Sequence, residues 1–263
     1  MGVDVARISL LVAGLAGLGL TAVFLWLPAL AEALVPWELS RLSRIFLASI
    51  IAASACPVLW IGVTGELAAA RAGALDFLVM WGGTALFLFG IGRPVATSGA
   101  QANFAVVAAV LALVMFAVFL ATRRLNFNNS RPMPLPVRAA FLSFVVLLTT
   151  VGIALVRQVP HIFPWPLSPD LSTIYGWIYL GAATYFLMGF LQPIWGNAAG
   201  QLIGFLAYDV ILLPPFVAHF AKVGPDYWLS LTVYTAILFA SAVLAIWYLF
   251  IDRTTRLRLA LPQ

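Results

Sequence analysis

The chain has 263 residues, 63% of them hydrophobic and only 9% charged, with a formal net charge of +5. A soluble domain carries about 25% charged residues, and a water-facing surface this apolar would aggregate, so the composition excludes an ordinary soluble domain and makes the lipid bilayer the expected partner. All of the 14 basic residues except Lys222 are Arg, and they form no groove-like patch with interleaved aromatics, which excludes nucleic acid as the expected partner.

A bilayer core takes roughly 20 apolar residues per helix. In chain order the apolar runs are 8–35, 44–65, 72–92, 102–121, 137–156, 172–191, 198–220 and 227–251. Each is expected to be a helix, because backbone groups in lipid have no water to bond. None shows the period-two alternation of a barrel strand. The first run follows Arg7 and ends near Ala29-Leu30-Ala31, which resembles a signal-peptide cleavage site. It is longer than the usual apolar stretch of about 7–15 residues in such peptides, so a retained helix is expected. The single Cys56 excludes an internal disulfide and reads as a buried, inert thiol.

The expected fold is an all-α polytopic membrane bundle of about eight spans. Residues 1–125 form a first four-helix repeat, 126–136 a cytoplasmic linker, and 137–263 a second repeat with a short basic tail. The linker region carries an Asn, Ser and Pro cluster. Cytoplasmic loops are enriched in Arg. With the N-terminus inside, that side holds Arg7, Arg71, Arg123, Arg124, Arg131, Arg138, Arg253, Arg256 and Arg258; the other side holds Arg41, Arg44, Arg93, Arg157 and Lys222. The bias favours both termini on the cytoplasmic side of the cell (inner) membrane. Trp37 and Trp165, in loops on the opposite side, are expected at the headgroup level.

Internal duplication supports the two repeats. Val35-Pro36-Trp37-Glu38-Leu39-Ser40 recurs as Phe163-Pro164-Trp165-Pro166-Leu167-Ser168, each just before a span. Ser40 and Ser168 are expected to cap the next helix by accepting its orphan N–H groups. Pro169 and Asp170 strengthen the second start. Ala74-Leu75-Asp76 echoes Ala207-Tyr208-Asp209, and the pair Gly82-Gly83 is echoed by Pro214-Pro215. An even number of spans per repeat makes both halves cross in the same direction, with a pseudo-twofold axis along the membrane normal.

Asp209, deep in the seventh run, is the leading functional candidate. A charged Asp at the bilayer centre costs roughly 2.5–3.5 kcal/mol on insertion scales, so it calls for a proton, a cation, a ligand or a locking hydrogen bond. Asn197, Gln201 and Tyr208 fall on about one face of the same helix, with Asp209 flanking it; these four are the candidate ligand-binding residues. Asp76 reads as a helix-end charge near the headgroups. Pro214-Pro215 is expected to break or kink its helix, most simply for packing. Gly196, Gly200 and Gly204 have the small-xxx-small spacing of a close helix contact, as do Gly65, Ala69 and Gly73. His161 and His219 read as interfacial residues that do not meet, because two His without Cys or carboxylate neighbours make a thin ligand set. Arg157 is expected to snorkel to the headgroups.

No metalloprotease, nucleophile-elbow or phosphate-loop pattern is present; the cofactor is unknown, and no catalytic residue is assigned. Three function classes remain: a small permease or ligand-binding membrane protein using the cleft between repeats, a non-catalytic accessory subunit packed against other membrane subunits or copies of itself, and a membrane enzyme acting on lipid or quinone. The first is preferred for its parallel repeats and Asp209; the last lacks a visible nucleophile or base pair.

Overall fold

The computed structural model describes residues 2–91 and 98–257. It is all-helical: α1 (Gly2–Trp26), α2 (Pro28–Ala33), α3 (Arg41–Thr64), α4 (Ala70–Leu88), α5 (Gly99–Thr122), α6 (Leu135–Val156), α7 (Pro169–Leu191), α8 (Trp195–His219) and α9 (Pro225–Ile246). A 3-10 turn at Leu67–Ala69 precedes α4, and a π turn at Trp247–Ile251 follows α9. Seven of these helices are long and apolar enough to cross a membrane, the last running on through the π turn. The 19-residue α4 is not among the seven and carries Arg71 and Asp76. The chain is thus a helical bundle of multi-pass membrane type. Arg93 and Arg258, counted in the charge balance, lie outside the described residues.

The first apolar run is not one helix. It breaks at Leu27 (φ −120°, ψ 72°), because a residue preceding proline is pushed out of the α region, and Pro28 then starts α2. Ser40 caps α3 by accepting from the Ser43 N–H, and Ser168 caps α7 by accepting from the Leu171 N–H, as the duplicated element predicts. Conversely, Pro214-Pro215 does not interrupt α8, which continues to His219 with both prolines inside it. Gly82-Gly83 likewise stays within α4. Spanning helices tolerate such breakers when the surrounding bundle holds them.

Helix packing follows a clear scheme. α1 lies on α3, α6 on α7, α4 on α5, and α8 on α9; α4 also packs on α7, and α3 on α8. Small residues set these approaches, as is usual where lipid supplies no hydrophobic drive between helices. On α8, a Cβ at Gly204 would sit 2.8 Å from the Ala53 carbonyl oxygen, and one at Gly200 would sit 3.1 Å from the Trp60 ring. Gly196 faces Asn129 and Glu66, so this glycine row is a packing face throughout. The row Gly65, Ala69, Gly73 is not. Gly65 is the left-handed C-cap of α3, with φ 72°, Ala69 lies in the 3-10 turn, and Gly73 meets nothing within 4 Å.

One end of the bundle is tied by two charged residues. Glu66, 3% exposed, accepts the Asn128 and Asn129 N–H groups at 2.7 and 2.9 Å. Arg71, 7% exposed, donates to the carbonyls of Ala68, Arg123 and Leu125 and lies over the Phe127 ring. The segment so held caps α8 in turn: Trp195 N–H donates to the Arg131 carbonyl at 2.7 Å, and Gly196 N–H donates to the Asn129 carbonyl at 3.0 Å. These are orphan donors of a helix start, satisfied by main chain rather than by a side-chain cap.

Candidate functional site

Asp209 lies midway along α8 and is fully buried. Its Oδ2 accepts from the Ser241 hydroxyl of α9 at 2.8 Å, while its Oδ1 is buried with no hydrogen-bond partner among the described residues. Ser241 is oriented by its own helix, since its hydroxyl also approaches the Ile237 and Leu238 carbonyls. The preceding residue, Tyr208, reaches the same neighbour at another level: its hydroxyl is hydrogen-bonded to that of Tyr234 on α9. Tyr234 in turn accepts from the Tyr179 hydroxyl of α7. Three phenols from three helices therefore form one continuous hydrogen-bonded chain next to Asp209.

Aromatic rings enclose this chain. Phe163 stands edge-on to Tyr179 and Tyr234 with centroids 6.0 and 5.8 Å apart, and Phe216 stands edge-on to Tyr234 at 5.0 Å. Phe46 of α3 stacks on Tyr179. Trp165 packs on Phe46, Phe163 and Phe216 and donates its indole N–H to the Ser43 hydroxyl at 3.0 Å. At 4% exposure, Trp165 is enclosed by the protein at this end of the bundle. Trp37, its counterpart in the first duplicated element, is half-buried against Phe104. The two matching loops thus part company because only the second lies over the meeting point of α3, α7, α8 and α9.

The other two candidates point elsewhere. Asn197 donates to the Met188 and Gln192 carbonyls, and Gln201 donates to the Tyr185 carbonyl at 2.7 Å. Both amides therefore cross-link α8 to the end of α7. Their oxygens, Asn197 Oδ1 and Gln201 Oε1, are buried without a partner among the described residues, as is Gln192 Oε1. Gln201 and Asp209 are eight positions apart on α8, about 12 Å of helix rise. The structure joins Tyr208 and Asp209 to α9, and Asn197 and Gln201 to α7; it does not bring the four to one point.

Asp76 departs from its expected place. It lies against Gly181, at the middle of α7: a Cβ there would fall 2.7 Å from the Asp76 carbonyl oxygen. It is therefore half-buried against the middle of α7, two turns into α4, and not at a helix end.

His161 stands edge-on to Tyr227 at 5.0 Å, and His219 Nε2 is 3.3 Å from the Pro164 carbonyl. Among the described residues no three His, Cys, Asp or Glu side chains are grouped to hold a metal ion. Cys56 is half-buried rather than fully enclosed. Arg157 is exposed at the end of α6. Two cavities open at opposite ends of the bundle. One, of about 340 Å³, is lined by Arg131, Met133, Trp195 and Thr254 among others. The other, of about 200 Å³, is lined by Gln158, His161, Tyr227, Phe163 and Trp165, and so shares Phe163 with the enclosure of the phenols. Gln158 and His161 adopt positive φ, 59° and 60°.

Tyr179, Tyr234 and Ser241 were not singled out by sequence: α7 also carries Thr173, Tyr175, Thr184 and Tyr185, and α9 also carries Ser230, Thr232 and Thr235, so nothing in either stretch marks these three. Comparisons with known protein families, with curated proteins and with solved structures find no match to this chain.

Proposed function

We propose that this chain is a small permease or ligand-binding membrane protein, built from two four-helix repeats that cross the lipid in the same direction. In this reading α4 is an eighth span, 126–136 is the linker, and both chain ends face the cytoplasm across the cell membrane. The helix pairing supports the repeat. Exchanging α1, α3, α4 and α5 for α6, α7, α8 and α9 turns each major contact into another: α1–α3 into α6–α7, α4–α5 into α8–α9, and α4–α7 into α8–α3. The caps Ser40 and Ser168 exchange places under the same operation.

The working site of this permease is Asp209. The observation that carries the reading is the buried Asp209 Oδ1, an acceptor without a donor in a carboxyl group midway along a spanning helix. Intramembrane acids mark proton, ion and substrate paths more often than not, and a buried unsatisfied oxygen calls for a bound partner. The accessory-subunit reading is favoured by the amide N–H groups of Asn197 and Gln201, which are spent on helix cross-links.

The two readings separate in one experiment. Purified wild type and Asp209→Asn are screened by thermal unfolding in detergent against small cations, amino acids, sugars and organic acids. A permease gives at least one compound that raises the midpoint of wild type and not of the variant. No such compound, together with co-purification of other membrane proteins at fixed stoichiometry, assigns the chain to an assembly instead.

A further inference from the structure

We propose that the cavity of about 340 Å³ between segment 131–134, the start of α8 and the C-terminal tail is a headgroup site for an anionic phospholipid, with Arg131 and Trp195 as its phosphate-binding donors. It is independent of the permease reading and requires only that the helices span lipid.

Three segments far apart in the chain build the cavity. The Met133 N–H donates to the Pro193 carbonyl at 2.9 Å, and the Trp195 N–H donates to the Arg131 carbonyl at 2.7 Å. These bonds fix 131–133 on the connection between α7 and α8. The tail folds back over the π turn: the Leu257 N–H donates to the Leu249 carbonyl and the Thr255 hydroxyl to the Tyr248 carbonyl, both at 2.8 Å. Arg131 closes the ring by donating from Nη1 to the Thr254 carbonyl at 2.7 Å. The walls are held before any ligand arrives, and a preorganised site loses less side-chain freedom on binding.

Two donors on these walls remain open. Arg131 donates from Nε to Asn129 Oδ1 at 3.1 Å and from Nη1 to the Thr254 carbonyl. Both acceptors are neutral, so the positive charge is oriented but not balanced, and Nη2 has no acceptor among the described residues. Trp195 is 2% exposed, and its indole N–H likewise has no acceptor among them. Unlike the Trp37 indole N–H, it is not sealed by protein atoms, so it opens onto the cavity that Trp195 lines. The hydroxyls of Thr254 and Thr255 are already occupied, on Asp252 Oδ1 and the Tyr248 carbonyl. A guanidinium fork and an indole N–H suit one group with several acceptor oxygens and a negative charge. Met133, Pro132 and Pro134 make the rest of the wall apolar.

The surroundings select a lipid. Segment 123–138 carries Arg123, Arg124, Arg131 and Arg138, and segment 252–257 carries Arg253 and Arg256, against the single acid Asp252. Basic pockets at the ends of spanning helices are where anionic headgroups bind, and Trp favours that level of the membrane. Leu135, which follows Pro134, is exposed, as are Phe250 and Ile251 just before the tail. On spanning helices such side chains meet acyl chains, so a headgroup held by Arg131 and Trp195 leaves its own chains on an apolar surface.

The test uses the full chain in mild detergent. Native mass spectrometry follows titrations with short-chain phosphatidylglycerol, short-chain phosphatidylcholine and inorganic phosphate. Wild type is expected to bind phosphatidylglycerol at least tenfold more tightly than either of the others. Arg131→Gln removes a charge-assisted bond and is expected to weaken phosphatidylglycerol binding by about tenfold. Trp195→Phe keeps a ring and removes one neutral hydrogen bond, for a loss of about threefold. Arg124→Gln, an exposed Arg outside the cavity, leaves the affinity unchanged. Equal affinity for the two lipids, or equal losses in Arg131→Gln and Arg124→Gln, overturns the site in favour of diffuse surface charge. Inorganic phosphate binding as tightly as phosphatidylglycerol overturns the lipid assignment. If Arg131→Gln does not fold, Trp195→Phe decides alone, and wild-type affinity in that variant overturns the proposal.

Discussion

Trp165 and Ser43 lie 122 positions apart in the chain, yet the Trp165 indole N–H donates to the Ser43 hydroxyl at 3.0 Å in a buried contact. The bond fastens the loop before α7 to the first turn of α3. Ser43 is itself oriented by the cap residue Ser40, whose hydroxyl donates to it at 3.0 Å. Removing the donor while keeping an aromatic ring isolates the bond. Trp165→Phe is expected to lower stability by about 1 kcal/mol, plus a packing loss, because a buried acceptor loses one of its partners. Thermal unfolding in detergent measures it, and an unchanged midpoint would show that the contact is incidental.

Glu66 offers a second test. Its carboxylate serves two consecutive N–H groups, and charge-assisted bonds of this kind are worth about 1.5–3 kcal/mol. Glu66→Gln replaces a two-oxygen acceptor with a single carbonyl, so one of Asn128 or Asn129 loses its partner. Segment 123–131 is expected to become several-fold more sensitive to protease while the spanning helices stay folded. Limited proteolysis with mass mapping reads the outcome.

The glycines divide by what faces them. Gly204→Ala places a methyl 2.8 Å from the Ala53 carbonyl oxygen, and forcing α8 away from α3 is expected to cost about 1–3 kcal/mol. Gly73→Ala meets nothing within 4 Å, and the gain in helix propensity is about 0.5–1 kcal/mol. The pair should therefore move the unfolding midpoint in opposite directions.

Ser241→Ala removes the hydrogen bond to Asp209 Oδ2 and leaves both carboxyl oxygens without a donor among the described residues. A loss of about 1–3 kcal/mol is expected, read by unfolding of the variant beside wild type. Ser241→Thr, which keeps the hydroxyl, should retain most of it.

Asp252 follows the last apolar turn. The Thr254 hydroxyl donates to Asp252 Oδ1 at 2.6 Å and the Thr254 N–H donates to it at 2.7 Å; together they hold the carboxyl below its usual range. A depressed folded value means that the turn is favoured above the ordinary carboxylate range. That advantage disappears as the pH drops through the folded value. The Thr254 amide shift should therefore titrate below about pH 4, and Asp252→Asn should abolish the titration.

Much of the bundle was legible in the sequence. Runs of apolar residues located seven long helices, and Ser40 and Ser168 were readable as caps because an N-cap is a local device. The glycine row on α8 was readable because its four-residue spacing survives any partner. Trp165, Tyr179 and Tyr234 were not readable, since their roles come from meetings between segments far apart in the chain. Asp76 misled for the same reason: its distance from the start of α4 says little about its depth, which is set by where α4 crosses α7. Pro214-Pro215 does not break α8, because the cost of a lost N–H is local whereas what offsets it is the surrounding bundle. Asp209 was found because a lone carboxyl in an apolar run stands out in any context; its open oxygen was visible only in three dimensions.

The segment between the two halves is a brace and not a tether. Glu66 and Arg71 grip residues 123–129, and Asn129 and Arg131 close the start of α8, so this end of the bundle behaves as a single block. In the two-repeat permease reading proposed above, rocking of one half on the other would pivot there and open at the opposite face, where the loop carrying His161 and Trp165 lies. Lengthening the 126–136 stretch with flexible residues would then cripple the protein even though no residue near Asp209 had been touched.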